Sequence, residues 1–210
     1  MDGLLFDTEN LFLSLSEATE REIGYDIPME LHYEAIGRTF EDIERIFTAH
    51  FGEDFPYEEF FTRSKERVYE RIQRYGIPMK EGVHELISAL SNRGAALVLA
   101  SSSPLWMVET NLEAAKMQDV FSLLVSGDEV ERGKPAPDIF LLAAEKAGFD
   151  PGECVVFEDS NNGVRAAHEA GMRPVMIPDI KPPEDEVREM TFRIYRSLGE
   201  AASDLDVLLG

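Results

Sequence analysis

The stretch Ala95-Ala96-Leu97-Val98-Leu99-Ala100-Ser101-Ser102-Ser103-Pro104 decides the fold. Six apolar residues run without polar alternation, then stop at three serines and a proline. A run this short, bounded by turn residues, reads as a strand covered on both faces. Residues 83–93 before it read as a helix stopped at Gly94. Residues 104–117 after it read as another, with Ser103 as N-cap and Pro104 in the first helical position. The alternation continues with a strand at 121–125, a helix at 138–148, a strand at 154–157, a helix at 161–170 and a strand at 174–177. A short strand near 192–195 and a helix near 198–208 close the chain. Short apolar strands alternating with helices imply an α/β domain around a parallel sheet.

Residues 10–79 lack any period-two pattern. Leu11, Leu15 and Ala18 recur at helical spacing before Gly24, and 30–36 forms a short helix ending at Gly37. Thr39 reads as an N-cap with Asp42 three residues on, followed by Ile43, Ile46 and Phe47 on one face. Residues 53–75 read as a longer helix with Phe60, Val68 and Ile72 inward. A helical insert, 10–79, is therefore expected between a short N-terminal motif and the α/β domain, giving one domain from 1–9 with 80–210 and a second from 10–79.

In an open parallel sheet, ligands sit at the carboxyl ends of the strands. Ser101 and its neighbours, Gly127-Asp128 and Glu158-Asp159-Ser160 should therefore share one crevice. Adjacent carboxylates at Glu158 and Asp159 repel each other and resist desolvation. A hard divalent cation relieves that cost, and Mg2+ takes oxygen ligands while retaining water. The competing role is a helix N-cap at Asp159 or Ser160. Lys134, in Gly133-Lys134-Pro135-Ala136-Pro137-Asp138, is a compact charge suited to a phosphate or a carboxylate, against the plainer role of a solvated loop lysine. The Ser101 hydroxyl and the nearby free amides suit a phosphate oxygen, or a simple turn. Cys154 reads as a buried small residue. His32, His50, His84 and His168 show no ligand spacing.

The chain has 41 acidic against 20 basic residues, a formal charge of −21. That argues against nucleic acid or an anionic membrane as partner. A single cysteine excludes an internal disulfide and fits a reducing compartment. No apolar run approaches a membrane span, and the first residues do not read as a signal peptide. The expectation is a cytoplasmic protein, with a monomer favoured.

Four segments together resemble the haloacid dehalogenase (HAD) superfamily, in its branch of β-phosphoglucomutase-like phosphatases with a helical cap. They are Met1-Asp2-Gly3-Leu4-Leu5-Phe6-Asp7-Thr8-Glu9, Leu97 to Ser103, Gly133 to Asp138, and Val155-Val156-Phe157-Glu158-Asp159-Ser160-Asn161-Asn162-Gly163. The resemblance covers nearly the whole chain. It implies a Rossmann-like core with an inserted cap, Mg2+ as cofactor, and a small phosphorylated metabolite such as a sugar phosphate as substrate. It also implies Asp2 as general acid/base with its carbonyl on Mg2+, and Ser101 with Ser102 on a phosphoryl oxygen. Lys134 would balance charge, Asp159 would ligate Mg2+ with support from Glu158, and the cap would close over the substrate.

The family's nucleophile is an aspartate two residues before the Asp-Gly aspartate, on a buried strand, and here that position precedes Met1. The expectation is a truncated form of an active enzyme, with a gap of roughly 10 Å or another segment between the strands ending at Ala100 and Phe157. The mutases of the branch carry a His just inside the cap, where this chain has Phe12. They also carry Lys-Gly-x-x-Arg in the cap, where it reads Ile36-Gly37-Arg38-Thr39-Phe40. Both departures favour a phosphatase over a sugar phosphomutase; Arg38 is a candidate substrate contact in the cap, against the plainer role of a surface salt bridge. A catalytically inactive module that binds a phosphorylated ligand or a protein is the third alternative.

Overall fold

The structure, a computed structural model, describes residues 1–36 and 40–210. The Thr39 cap and the Arg38 contact lie outside the described residues. The chain divides into two compact units, Met1–Phe6 with Met79–Gly210, and Asp7–Pro78.

In the first unit, α5 (Val83–Asn92) leads into β1 (Val98–Ala100), and α6 (Leu105–Ala115) into β2 (Leu123–Val125). Then come α7 (Asp138–Ala147), β3 (Val155–Glu158), α8 (Asn161–Glu169) and β4 (Arg173–Met176). The chain ends with α9 (Asp185–Met190), β5 (Arg193–Ile194), α10 (Leu198–Ala202) and α11 (Leu205–Leu209). All ladders between these strands are parallel, in two sheets, β1–β2 and β3–β4–β5. No ladder joins β1 to β3 among the described residues. Val155, Val156 and Phe157 of β3 are only partly buried, whereas Pro174, Val175 and Met176 of β4 are buried. The helix α7 packs on β1 and β2, and α8 on β3 and β4. Ile139, Phe140, Ala143 and Ala144 meet Ala166, Ala167 and Val125 in the main core.

Several local expectations are corrected. The apolar run from Ala95 supplies a strand only from Val98. Ser103 does not cap α6: Pro104 takes that place in an extended conformation (φ −59°, ψ 149°), and Asp128 Oδ2 accepts from the Leu105 amide at 2.8 Å. A carboxylate from the next strand end thus does the capping. The helix expected at 198–208 is broken into α10 and α11 by a turn at Ser203 and Asp204. The helix α9 was not anticipated, because four of its six residues are charged and Val187 and Met190 are its only apolar ones, too short a pattern to mark a helix.

The second unit holds α1 (Thr8–Ile23), α2 (Met29–Ala35), α3 (Phe40–Phe51) and α4 (Tyr57–Tyr75). The expected start of α4 at residue 53 moves to Tyr57, behind Pro56. Its core is aromatic, with Phe47, Phe55, Tyr57 and Phe60 buried together, and Phe12 sits edge-on to Phe60, centroids 6.5 Å apart. The buried residues of α1 are Ser16, Thr19 and Glu20, while Leu11, Leu15 and Ala18 are half-buried. Ser16 Oγ donates to Leu13 O of its own helix at 3.1 Å, and the other two are satisfied by other helices. Glu20 Oε1 pairs with His32 Nε2 at 3.0 Å, and Arg67 Nε donates to Thr19 Oγ1 at 3.2 Å.

Candidate active site

Glu158 ends β3 and turns its carboxylate over the start of α8. Its Oε2 accepts from the amides of Asp159 (3.0 Å) and Ser160 (3.1 Å) and from Ser160 Oγ (3.1 Å). Lys134 Nζ donates to its Oε1. Lys134 is itself 12% exposed and lies over the Phe140 ring, 4.6 Å from the centroid. Burial pushes the Glu158 pKa up. The Lys134 charge, the Met1 α-ammonium group and the hydrogen bonds from Lys134 and Ser160 outweigh it, and the net shift is downward. Glu158 is therefore an ionised carboxylate with every oxygen used. The close fit requires glycine at position 163, where a methyl group would lie 2.0 Å from Glu158 Cδ.

Asp159, the next residue, is the opposite case. No hydrogen-bond donor among the described residues reaches its carboxylate. Burial first, then the charge of Glu158, push its pKa up to about 8, with Asp179 adding to the rise and the Met1 α-ammonium group and Lys134 opposing it. Near neutral pH this group keeps a proton unless a cation replaces it. The capping role falls to Ser160, whose Oγ accepts from the Gly163 amide at 3.0 Å. Asp159 is left free of it.

The segment Met1–Phe6 crosses in front of these groups. Gly3, at φ +74°, passes so close to Asp159 that a Cβ there would meet its Oδ2 at 2.4 Å. Asp2 accepts from Ser103 Oγ at 3.2 Å, which is where the hydroxyl expected to cap α6 goes. Ser101, at the end of β1, is 4% exposed. Its amide donates to Val125 O at 2.9 Å and its Oγ accepts from the Ser103 amide at 3.2 Å. The turn role is thus real, and it leaves the hydroxyl proton available to an incoming oxygen. Ser102 is exposed beside it. The loop after β1, the end of β3, Lys134 and residues 2–3 form one connected cluster.

Two members were missed. Lys80 Nζ donates to Asp179 Oδ1 at 2.6 Å, and Asp179, just beyond β4, is 7% exposed in its side chain. The strand-end rule that singled out Ser101 and Asp159 applies equally to the strand before Asp179. Among the described residues no three His, Cys, Asp or Glu side chains converge as a metal cage. Mg2+ does not require one, because it takes one or two carboxylates and completes its shell with water and substrate oxygens. An undonated carboxylate at Asp159, with the Gly3 backbone passing beside it, fits that pattern.

Residues 1–177 match the haloacid dehalogenase-like hydrolase family. The chain belongs to this family. A Drosophila melanogaster relative named as a pseudouridine-5'-phosphatase is 36% identical over 208 residues, covering 95% of this chain and 88% of the relative. Hexitol phosphatase B of Escherichia coli K12 is 31% identical over 186 residues, covering 85% of this chain and 81% of the enzyme. A crystal structure from Thermotoga maritima, described as a β-phosphoglucomutase, superposes with a TM-score of 0.82 at 26% identity, covering 100% of this chain and 97% of that one. In this chain the compact unit Asp7–Pro78 interrupts the other unit between Phe6 and Met79.

Proposed function

We propose that the protein is a Mg2+-dependent phosphatase of small phosphorylated metabolites, sugar phosphates among them, working in the cytoplasm. The observation that carries this reading is the Asp159 carboxylate, undonated and held proton-prone beside the fully satisfied Glu158–Lys134 pair. The named activities of the 36% and 31% identical relatives support the phosphomonoester class.

On this reading the Ser101 hydroxyl donates to a phosphoryl oxygen, with Ser102 beside it. Lys134, already fixed against Glu158, lowers the cost of negative charge next to the phosphate. Asp159 and the Asp2 carbonyl would hold Mg2+, which would supply Lewis-acid stabilisation of the phosphoryl oxygens. The Asp2 carboxylate, oriented by Ser103, gives its proton to the departing alcohol oxygen and takes one from water afterwards. Covalent transfer needs a carboxylate nucleophile two residues ahead of Asp2, at the end of a strand. Among the described residues no ladder joins β1 to β3, and Val155, Val156 and Phe157 are only partly buried, which supports a strand between them. Arg38 is our candidate for a substrate contact from the cap. Phe12, packed among the rings of α4, offers no acid/base where the mutases have a His, which favours hydrolysis over isomerisation.

The test is hydrolysis of an aryl phosphate, pseudouridine 5'-phosphate and a hexitol phosphate, with Mg2+ and with a chelator. The chain is compared with a form extended upstream by an apolar strand ending in Asp. The extended form is expected to turn over only with Mg2+, and on the order of 10^4-fold faster than the shorter one. Failure of both forms on all three esters would overturn the reading.

A further inference from the structure

The Lys80–Asp179 pair is not explained by the chemistry above. Lys80 satisfies Asp179 Oδ1 only. Asp179 Oδ2 is buried and has no hydrogen-bond partner. That oxygen faces Gly3 at the spot where Asp159 also points: a Cβ on Gly3 would lie 3.1 Å from Asp179 Oδ2 and 2.4 Å from Asp159 Oδ2. Two carboxylate oxygens from different strand ends thus converge across a residue with no side chain, and each lacks a donor. A buried acceptor left bare costs free energy comparable to a lost hydrogen bond. One occupant relieves both oxygens at once, a hydrated divalent cation.

We propose that Asp179 is the second carboxylate of the cation site. Lys80 clamps one of its oxygens, and the other accepts from water carried by a cation on Asp159. The inference rests on the reading of Asp159 as a ligand. It makes Asp179 a positioning residue whose effect passes through the cation's water, the kind of outer contact whose loss typically weakens metal binding 10- to 100-fold.

The test is titration of the full chain with Mn2+, the free ion being followed by its electron paramagnetic resonance signal. The variants are Asp159→Asn, Asp179→Asn, Lys80→Met and the double variant Lys80→Met/Asp179→Asn, with folding checked by circular dichroism. Asp159→Asn is expected to abolish binding, and Asp179→Asn to weaken it about 10- to 100-fold. Lys80→Met breaks the same ion pair but leaves the carboxylate, so Mn2+ should bind it as tightly as the unaltered chain or more tightly. The double variant removes both charges without orphaning either. It should repeat the Asp179→Asn loss even if the single variant misfolds. Equal losses in Lys80→Met and Asp179→Asn would make the pair a structural tie and overturn the proposal. Asp179→Asn binding within twofold, with Asp159→Asn inactive in binding, would overturn it and leave the Asp159 reading standing. No Mn2+ binding by the unaltered chain would overturn both.

Discussion

Gly163→Ala sets helix propensity against packing, and the two predict opposite signs. Gly163 lies in the first turn of α8. Alanine is the better helix former by about 1 kcal/mol, so propensity alone predicts a gain. The added methyl would fall 2.0 Å from Glu158 Cδ and 2.2 Å from each of its carboxylate oxygens. That carboxylate cannot yield freely, because Lys134, the Asp159 amide and both Ser160 donors hold it. Moving it separates a buried ion pair, which costs about 3–5 kcal/mol. The net expectation is a loss of about 2–4 kcal/mol after crediting propensity, or a Tm lower by roughly 5–15 °C for a chain of this size. Urea unfolding followed by circular dichroism measures it. A double-mutant cycle with Glu158→Ala isolates the cause: once the carboxylate is gone, adding Gly163→Ala should be neutral or stabilising. A Gly163→Ala chain as stable as the original would refute the packing argument, as would a penalty that persists without Glu158.

Gly127→Ala should be worse tolerated than a surface change, because its methyl would meet the Ser102 carbonyl oxygen at 2.2 Å. A loss of about 1–3 kcal/mol is expected in the same unfolding assay, and a null effect would mean the loop after β1 can shift. Glu20→Ala leaves His32 and the Ile27 amide unpaired inside the helical unit. It should cost about 1–3 kcal/mol and raise hydrogen exchange within residues 8–75, while exchange in the α/β unit stays unchanged. Tyr195 is buried and donates to Asp204, and burial first, then that hydrogen bond, push its pKa up to about 12. A folded pKa above the unfolded value near 10 means its contribution is complete below pH 10 and is lost as pH rises towards 12. The stability gap between the chain and Tyr195→Phe should accordingly close across that window, and a gap unchanged from pH 9 to 12 would refute the assignment.

Much of the architecture is local and so was legible. Short unalternated runs marked the strands. Serines, prolines and glycines marked where they stop, and the strand-end rule gathered Ser101 and Glu158-Asp159 without any distance being known. Sequence alone could not divide the labour between two adjacent carboxylates. That required Lys134, 24 residues away, to reach Glu158 and not Asp159. Nor could it say that Ser103 would orient Asp2 while Asp128 capped α6, since both bonds cross between segments far apart in the chain. The spacing of Leu11, Leu15 and Ala18 marked α1, but for a related reason it did not show which polar residues of that helix are buried. Burial of Thr19 and Glu20 is matched by Arg67 and His32, contributed by other helices, whereas Ser16 donates to Leu13 O of its own helix. The same holds for Asp179, joined to Lys80 across 99 residues. Apolar periodicity and turn chemistry act over a few residues and can be read in one dimension. Whether a buried polar group is satisfied depends on what the folded chain brings beside it, and only the tertiary structure decides that.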